Sequence, residues 1–166
     1  MTGKRLSEAR LCDALADTLP TDPAFATWFW KRTRFADIDA TCVDVRSNSP
    51  WSNVTFNVTA GDGQSTQLVR GAETDVLAIY VDAHGRRLAL HIENKLANGS
   101  FTLYQPETYR ARIDQWRGRP NFGMYSEGTS ILVAPQAFLQ RHSSGAALFD
   151  AVVTHEDLAP FIPGFS

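Results

Sequence analysis

The chain has 166 residues, 43% of them hydrophobic and 20% charged, with a formal net charge of −2 at neutral pH. Those values suit one globular domain with a full hydrophobic core, expected to span residues 1–166. They argue against a broadly basic, whole-surface nucleic-acid binder, and no apolar run approaches the roughly 20 residues that cross a bilayer.

The opening MTGKRLSEARL has no continuous apolar stretch behind its basic residues, so no secretory signal is expected. Leu6, Ala9, Leu11, Ala14, Leu15 and Leu19 recur at roughly helical spacing. They predict a helix capped by Ser7 or Thr2 and ended by Pro20. Asp22 followed by Pro23 predicts a second helix start, and Phe25, Trp28, Phe29 and Trp30 give that helix a large apolar surface, read as core or an oligomer contact. Cys12 and Cys42 have no CxxC or Cys/His spacing, which favours reduced thiols in a cytoplasmic protein over a disulfide or a zinc site.

From Asp39 the pattern becomes that of half-buried strands: ATCVDVRS and NVTFNVTAG alternate polar and apolar residues around the turn-rich SNSPW, as in a meander at a sheet edge. GDGQST reads as a loop. VLAIYV, the turn DAHG and RRLALHIENK read as a hairpin of buried strands. LYQPETYRARIDQWRG predicts a helix with Pro106 in its first turn and an apolar face of Leu103, Tyr104, Tyr109, Ile113 and Trp116. TSILVAP is a short buried strand ended by Pro135, and QAFLQRH, GAALFDAVV and HEDLAPFI read as short helical pieces. This order predicts an α/β sandwich with a central mixed sheet flanked by helices.

The hairpin carries charge where a buried strand should carry none. In LALHIENK, a carboxylate and an ammonium at Glu93 and Lys95 are costly to bury unless paired or metal-bound. Side chains alternate along a strand, so His91, Glu93 and Lys95 share one face and Leu90, Ile92 and Asn94 the other. If Asp75 opens the preceding strand, the hairpin returns it beside Glu93 and Lys95. Two such carboxylates suit a hard divalent cation such as Mg²⁺ or Mn²⁺. Such an ion activates water and offsets charge developing on a scissile phosphate. Lys95 is placed to orient or help deprotonate that water. His91 has two readings, a general base or a hydrogen-bonded histidine beneath a helix.

An acid opening one strand, a turn, and Glu-x-Lys closing the next resembles the core of the PD-(D/E)XK nuclease superfamily, with Asp75 and Glu93–Asn94–Lys95 in the motif positions. Gln105 and Tyr109, one helical turn apart, resemble the glutamine and tyrosine that follow in many members. ILVAP and HEDLAPFI look like parts of the smaller, defence-associated bacterial members. The resemblance implies a three-layer, restriction-endonuclease-like sandwich and a Mg²⁺- or Mn²⁺-dependent hydrolase. It implies Asp75, Glu93, Lys95, Gln105 and Tyr109 as catalytic residues and Asp75 and Glu93 as metal ligands. Glu8, on the first helix, is the candidate for the further acid that many members supply, and Glu73 competes with it. Thr74 stands where the motif's proline would be.

Two basic clusters could meet phosphates. Lys31, Arg32 and Arg34 close the second helix, where cations also suit the helix dipole. Arg110, Arg112 and Arg117, with Arg119 nearby, follow the motif directly and are the candidate nucleic-acid contacts. The expected activity is phosphodiester hydrolysis by a DNA endonuclease of a bacterial defence or restriction type. The alternative is a nuclease-fold module without catalysis, serving as a nucleic-acid-binding or assembly subunit. A third reading is a nuclease whose groove is completed by a partner protein or a second copy of the chain.

Overall fold

A computed structural model describes residues 6–48 and 50–166. Helix α1 (Glu8–Thr21) starts where Ser7 accepts the Arg10 N–H on its hydroxyl at 3.4 Å and buries Leu11, Cys12, Leu15, Ala16 and Leu19 along one stripe. Thr2, the alternative cap, lies outside the described residues. Pro20 does not end this helix. It removes one hydrogen bond, but the Asp22 N–H still closes on Thr18 O at 2.9 Å, so the last turn runs on to Thr21. Asp22 then caps α2 (Pro23–Trp30) by accepting the Phe25 N–H at 3.0 Å, with Pro23 at the first helical position. Phe25, Phe29 and Trp30 of α2 are buried.

Strands β1 (Ala40–Arg46), β4 (Val76–Asp82), β5 (Arg87–Asn94), β6 (Glu127–Ala134) and β7 (Ala151–Thr154) form one sheet in the order β1-β4-β5-β6-β7. The β1/β4 and β4/β5 pairs are antiparallel; β5/β6 and β6/β7 are parallel, so the sheet is mixed as expected. Strands β2 (Trp51–Thr59) and β3 (Ser65–Glu73) stand apart as a separate antiparallel pair. The expected meander is therefore corrected: β1 pairs with β4, whereas β2 turns back on β3 through a bend with Gly63 at φ 82°. Strand β3 begins within what read as a loop, because Ser65, Thr66 and Gln67 are polar and exposed on an edge.

Helix α3 (Gln105–Gln115) follows β5, with Pro106 in its first turn. Leu103, expected on its apolar face, lies ahead of the helix and is 72% exposed. After β6 come α4 (Gln136–Arg141) and α5 (Ser143–Ala146), then β7, then α6 (His155–Leu158), capped reciprocally by Thr154 and Asp157. The AVV of GAALFDAVV is thus strand rather than helix; it gains its ladder by lying parallel to β6.

The sheet is covered on both faces. Leu90, Ile92, Val76, Ile131 and Val133 pack with Leu15, Leu19, Phe25 and Phe29 of α1 and α2. On the other face Leu77, Ile79 and Ala89 pack with Trp116, Phe122 and Tyr125, and with Val54 and Ala72 of the β2–β3 arm. A third cluster joins Tyr109 to Leu132, Phe138 and Phe149. Each fully buried Leu, Ile or Phe contributes about 1.5–3 kcal/mol, which is what holds the charged segment of β5 between the two layers. Among the described residues no helix is long and apolar enough to cross a membrane.

Candidate active site

The β4–β5 hairpin is set by its turn. Asp82 accepts the backbone N–H of His84 and of Arg86 on Oδ1, each at 2.9 Å, and Gly85 takes a φ of 78°. This register pairs Val76 with Ile92 and leaves Asp75 just ahead of β4, where its Oδ2 accepts the Asn94 N–H at 2.9 Å. The acid that opens one strand thus meets the end of the other, as the sequence suggested.

Period-two alternation holds along β5. Leu90 and Ile92 face α1 and α2, while His91 and Glu93 face α3. Glu93 is 1% exposed and Lys95 7%. Lys95 Nζ lies 2.7 Å from Glu93 Oε1, Gln105 Nε2 donates to the same oxygen at 2.6 Å, and the Tyr109 hydroxyl donates to Oε2. Gln105 and Tyr109 reach one carboxylate together because residues four apart share a helix face. Three of the roughly four lone-pair positions of Glu93 are therefore filled, and one remains.

Charge at this site is out of balance. Burial, together with the neighbouring Glu93, pushes the Asp75 carboxyl up to about 8. Burial also raises Glu8, opposed by Lys95. For Lys95 burial opposes the charge, but Glu93, Glu8 and Asp75 outweigh it and hold the ammonium above its ordinary value. Of the two candidate acids from outside the hairpin, Glu8 is the one that these charges feel. Glu73 is exposed, and its backbone carbonyl accepts from Arg112.

The donor set fits a hard divalent cation. All three acids offer oxygen, three carboxylates face one ammonium, and Asp75 resists ionising until more positive charge arrives. Among the described residues no three His, Cys, Asp or Glu side chains form a ready-made cage. Asp75 and Glu93 would be the two carboxylates to hold Mg²⁺, an ion that characteristically binds through one or two carboxylates and keeps its other positions for water and phosphate. Glu8 borders this pair.

Asn94, unassigned in the sequence, is the joint behind the site. Its backbone N–H holds Asp75, its Nδ2 reaches Glu8 O at 3.5 Å, and its Oδ1 meets His155 Nε2 at 2.9 Å. The signal for it was a polar residue on the otherwise apolar Leu90–Ile92 face. His91 resolves to its structural reading: fully buried, it contacts Thr74 Oγ1 and the Tyr125 hydroxyl, each at 3.1 Å, and burial with nearby Arg112 pushes it down to about 3.

The expected basic groove needs correction. Arg112 is 1% exposed, bonds Thr108, Thr74 and Glu73, and stacks on the Tyr109 ring with its guanidinium 3.7 Å from the centroid. It points inward because it lies on the same helical stripe as Gln105, Tyr109 and Trp116. Arg110 and Arg117 are on the surface, but each is paired, with Asp150 at 2.9 Å and Asp114 at 3.0 Å. With Arg34 and Glu127 they line a depression where three arginines meet three carboxylates. Phe29 and Trp30 are core, as expected, and Trp28 stacks on Phe25. A cavity of about 700 Å³ lies beyond Leu96 beside His155 and is lined by none of Asp75, Glu93 or Lys95.

The chain matches no protein-family model, no curated protein and no solved structure.

Proposed function

We propose that this protein is a Mg²⁺- or Mn²⁺-dependent nuclease of the PD-(D/E)XK kind, hydrolysing phosphodiester bonds in DNA. The observation that carries this reading is the convergence of Asp75, Glu93 and Lys95 at the end of one hairpin, with Gln105 and Tyr109 locked onto Glu93. A bound divalent ion would supply an activated water and neutralise charge on the phosphate undergoing attack. Asp75 and Glu93 would hold it, with Glu8 alongside.

Lys95 supplies the fixed cation. Its ammonium, kept charged by the surrounding acids, is positioned to orient the attacking water and to stabilise charge developing on the phosphate oxygens. Gln105 and Tyr109 fix the rotamer of Glu93, so that its remaining lone pair has one direction. The packed layers around β5 exclude competing water and strengthen each of these interactions. A DNA substrate and a defence or restriction role rest on the resemblance of the motif alone.

The test is conversion of supercoiled plasmid by purified protein. Nicking or linearisation should require Mg²⁺ or Mn²⁺, stop with EDTA, and fall by orders of magnitude in Glu93→Ala and Lys95→Ala proteins that remain folded. Cleavage undiminished in Glu93→Ala would overturn the assignment. No cleavage and no divalent-ion binding would favour the non-catalytic module.

A further inference from the structure

Outside the carboxylate site, a cavity of about 470 Å³ opens between β3 and the segment entering α3, with Trp51, Arg70, Thr102, Gln105, Thr108 and Arg112 on its walls. Gln105 belongs to both places, because the side chain that borders this cavity also donates to Glu93. Three features of the walls call for a ligand.

Arg112 is the first. It is buried, its N–H groups donate only to neutral oxygens of Thr108, Glu73 and Thr74, and no carboxylate lies within ion-pair distance among the described residues. A buried cation without a counter-charge is costly, and an anion entering the cavity would offset that cost. These bonds take four of the five N–H donors of a guanidinium, leaving one for such an anion.

Trp51 is the second. It is 59% exposed, an unusual place for the largest side chain. Its indole lies across β3 at Gly71, where an added Cβ would meet three indole atoms at 2.9–3.2 Å. The glycine makes room for the edge of the indole, and more than half of the side chain stays exposed. The third is Arg70, exposed, free of any ion pair among the described residues, and within 5.9 Å of the Tyr104 ring centroid. An exposed aromatic ring and two guanidinium groups lining one cavity form a combination that takes a base and a phosphate.

We propose that this cavity is a nucleotide subsite of the same nuclease, in which an unpaired base stacks on Trp51 while its phosphate meets Arg70 and Arg112. The inference rests on the nuclease reading for its biological sense but not for its geometry. A duplex keeps its base faces stacked on one another, so the open indole selects single-stranded or locally unpaired nucleic acid. The strand would then run past Gln105 toward Glu93, presenting a neighbouring phosphate to the carboxylates.

The experiment is fluorescence anisotropy with a fluorescein-labelled single-stranded DNA oligonucleotide and its annealed duplex, both in EDTA so that binding is read without cleavage. Wild type should prefer the single strand. Trp51→Ala should weaken single-strand binding about tenfold, the order expected for one lost stacked base, and Trp51→Phe should restore most of it. Arg70→Ala should weaken binding and reduce its salt dependence. Equal affinity of wild type and Trp51→Ala for the single strand, or a wild-type preference for duplex, would overturn the subsite. The two readings fail separately. Loss of binding in Trp51→Ala without any Glu93-dependent plasmid cleavage keeps the subsite and removes the nuclease. Glu93-dependent cleavage with unchanged Trp51→Ala binding does the reverse.

Discussion

Tyr109 donates its hydroxyl to Glu93 across the gap between α3 and β5, and both side chains are sealed from solvent, at 0% and 1% exposure. Replacing Tyr109 by Phe leaves one oxygen of a buried carboxylate without its donor. Folding stability should fall by about 1–3 kcal/mol, read by urea denaturation. Metal-dependent cleavage should fall about 10–100-fold, the usual effect of removing a group that orients a metal ligand. Unchanged stability and rate would show that Glu93 does not depend on the phenol.

Lys95 and a divalent cation compete to compensate the same carboxylates. In EDTA, Lys95→Met should destabilise the protein by about 3–5 kcal/mol, because Glu93 becomes a buried charge without a partner. Millimolar-range Mn²⁺ should recover much of the lost melting temperature, and the gain should exceed that of wild type. Glu93→Gln should show little Mn²⁺ response. Identical Mn²⁺ shifts in both variants would count against these carboxylates as the cation site.

Asp75 makes stability pH-dependent. Its folded pKa, raised from the ordinary 3.8 to about 8, means that the folded protein holds the proton more tightly than the unfolded chain. The associated stability is complete below about 4 and is lost progressively as pH rises to about 8. Metal-free Asp75→Asn should lose this downward slope, measured as denaturation midpoints across the window. At limiting Mn²⁺, wild-type cleavage should rise as pH approaches about 8, and its midpoint should move to lower pH as Mn²⁺ increases.

Asn94 and His155 form the third dependency. Burial pushes His155 down to about 4, so it is neutral near pH 7, and its Nε2–H donates to Asn94 Oδ1. Asn94→Ala strands that donor and should cost about 1–3 kcal/mol in denaturation experiments. Asp75 keeps the residue-94 N–H, so cleavage per folded molecule should change less than stability does.

The hairpin half of the site was legible because it is contiguous. Asp75, the DAHG turn and Glu93–Lys95 lie within one supersecondary unit, and the two-residue strand period assigns their faces without a tertiary assumption. Gln105 and Tyr109 were legible only through the motif resemblance, which their spacing of one helical turn fits. Glu8 required the docking of α1, which depends on contacts such as Asn94 Nδ2 to Glu8 O that no local pattern encodes. Arg112 shows a conflict between two signals. Helix periodicity places it inward beside Tyr109 and Trp116, while its charge suggests solvent; stacking and neutral acceptors let the periodicity win. The β2–β3 pair was hidden for another reason: Ser65, Thr66 and Gln67, which open β3, are polar and exposed, and each strand's partner is its own neighbour rather than the main sheet.

The arm holding Trp51 has one further property. Strands β1 and β4 are direct ladder neighbours, with Arg46 opposite Leu77, so the chain leaves the sheet and re-enters it at nearly the same point. Everything between is a detour, and its ends would meet in a simple hairpin if it were absent. Changes at the outer end of that detour, beyond the buried Val54 and Ala72, leave each ladder bond of the five-stranded sheet, and the bond from Asn94 to Asp75, in place. The length of the arm's outer end is therefore independent of the register that sets Asp75 against Asn94.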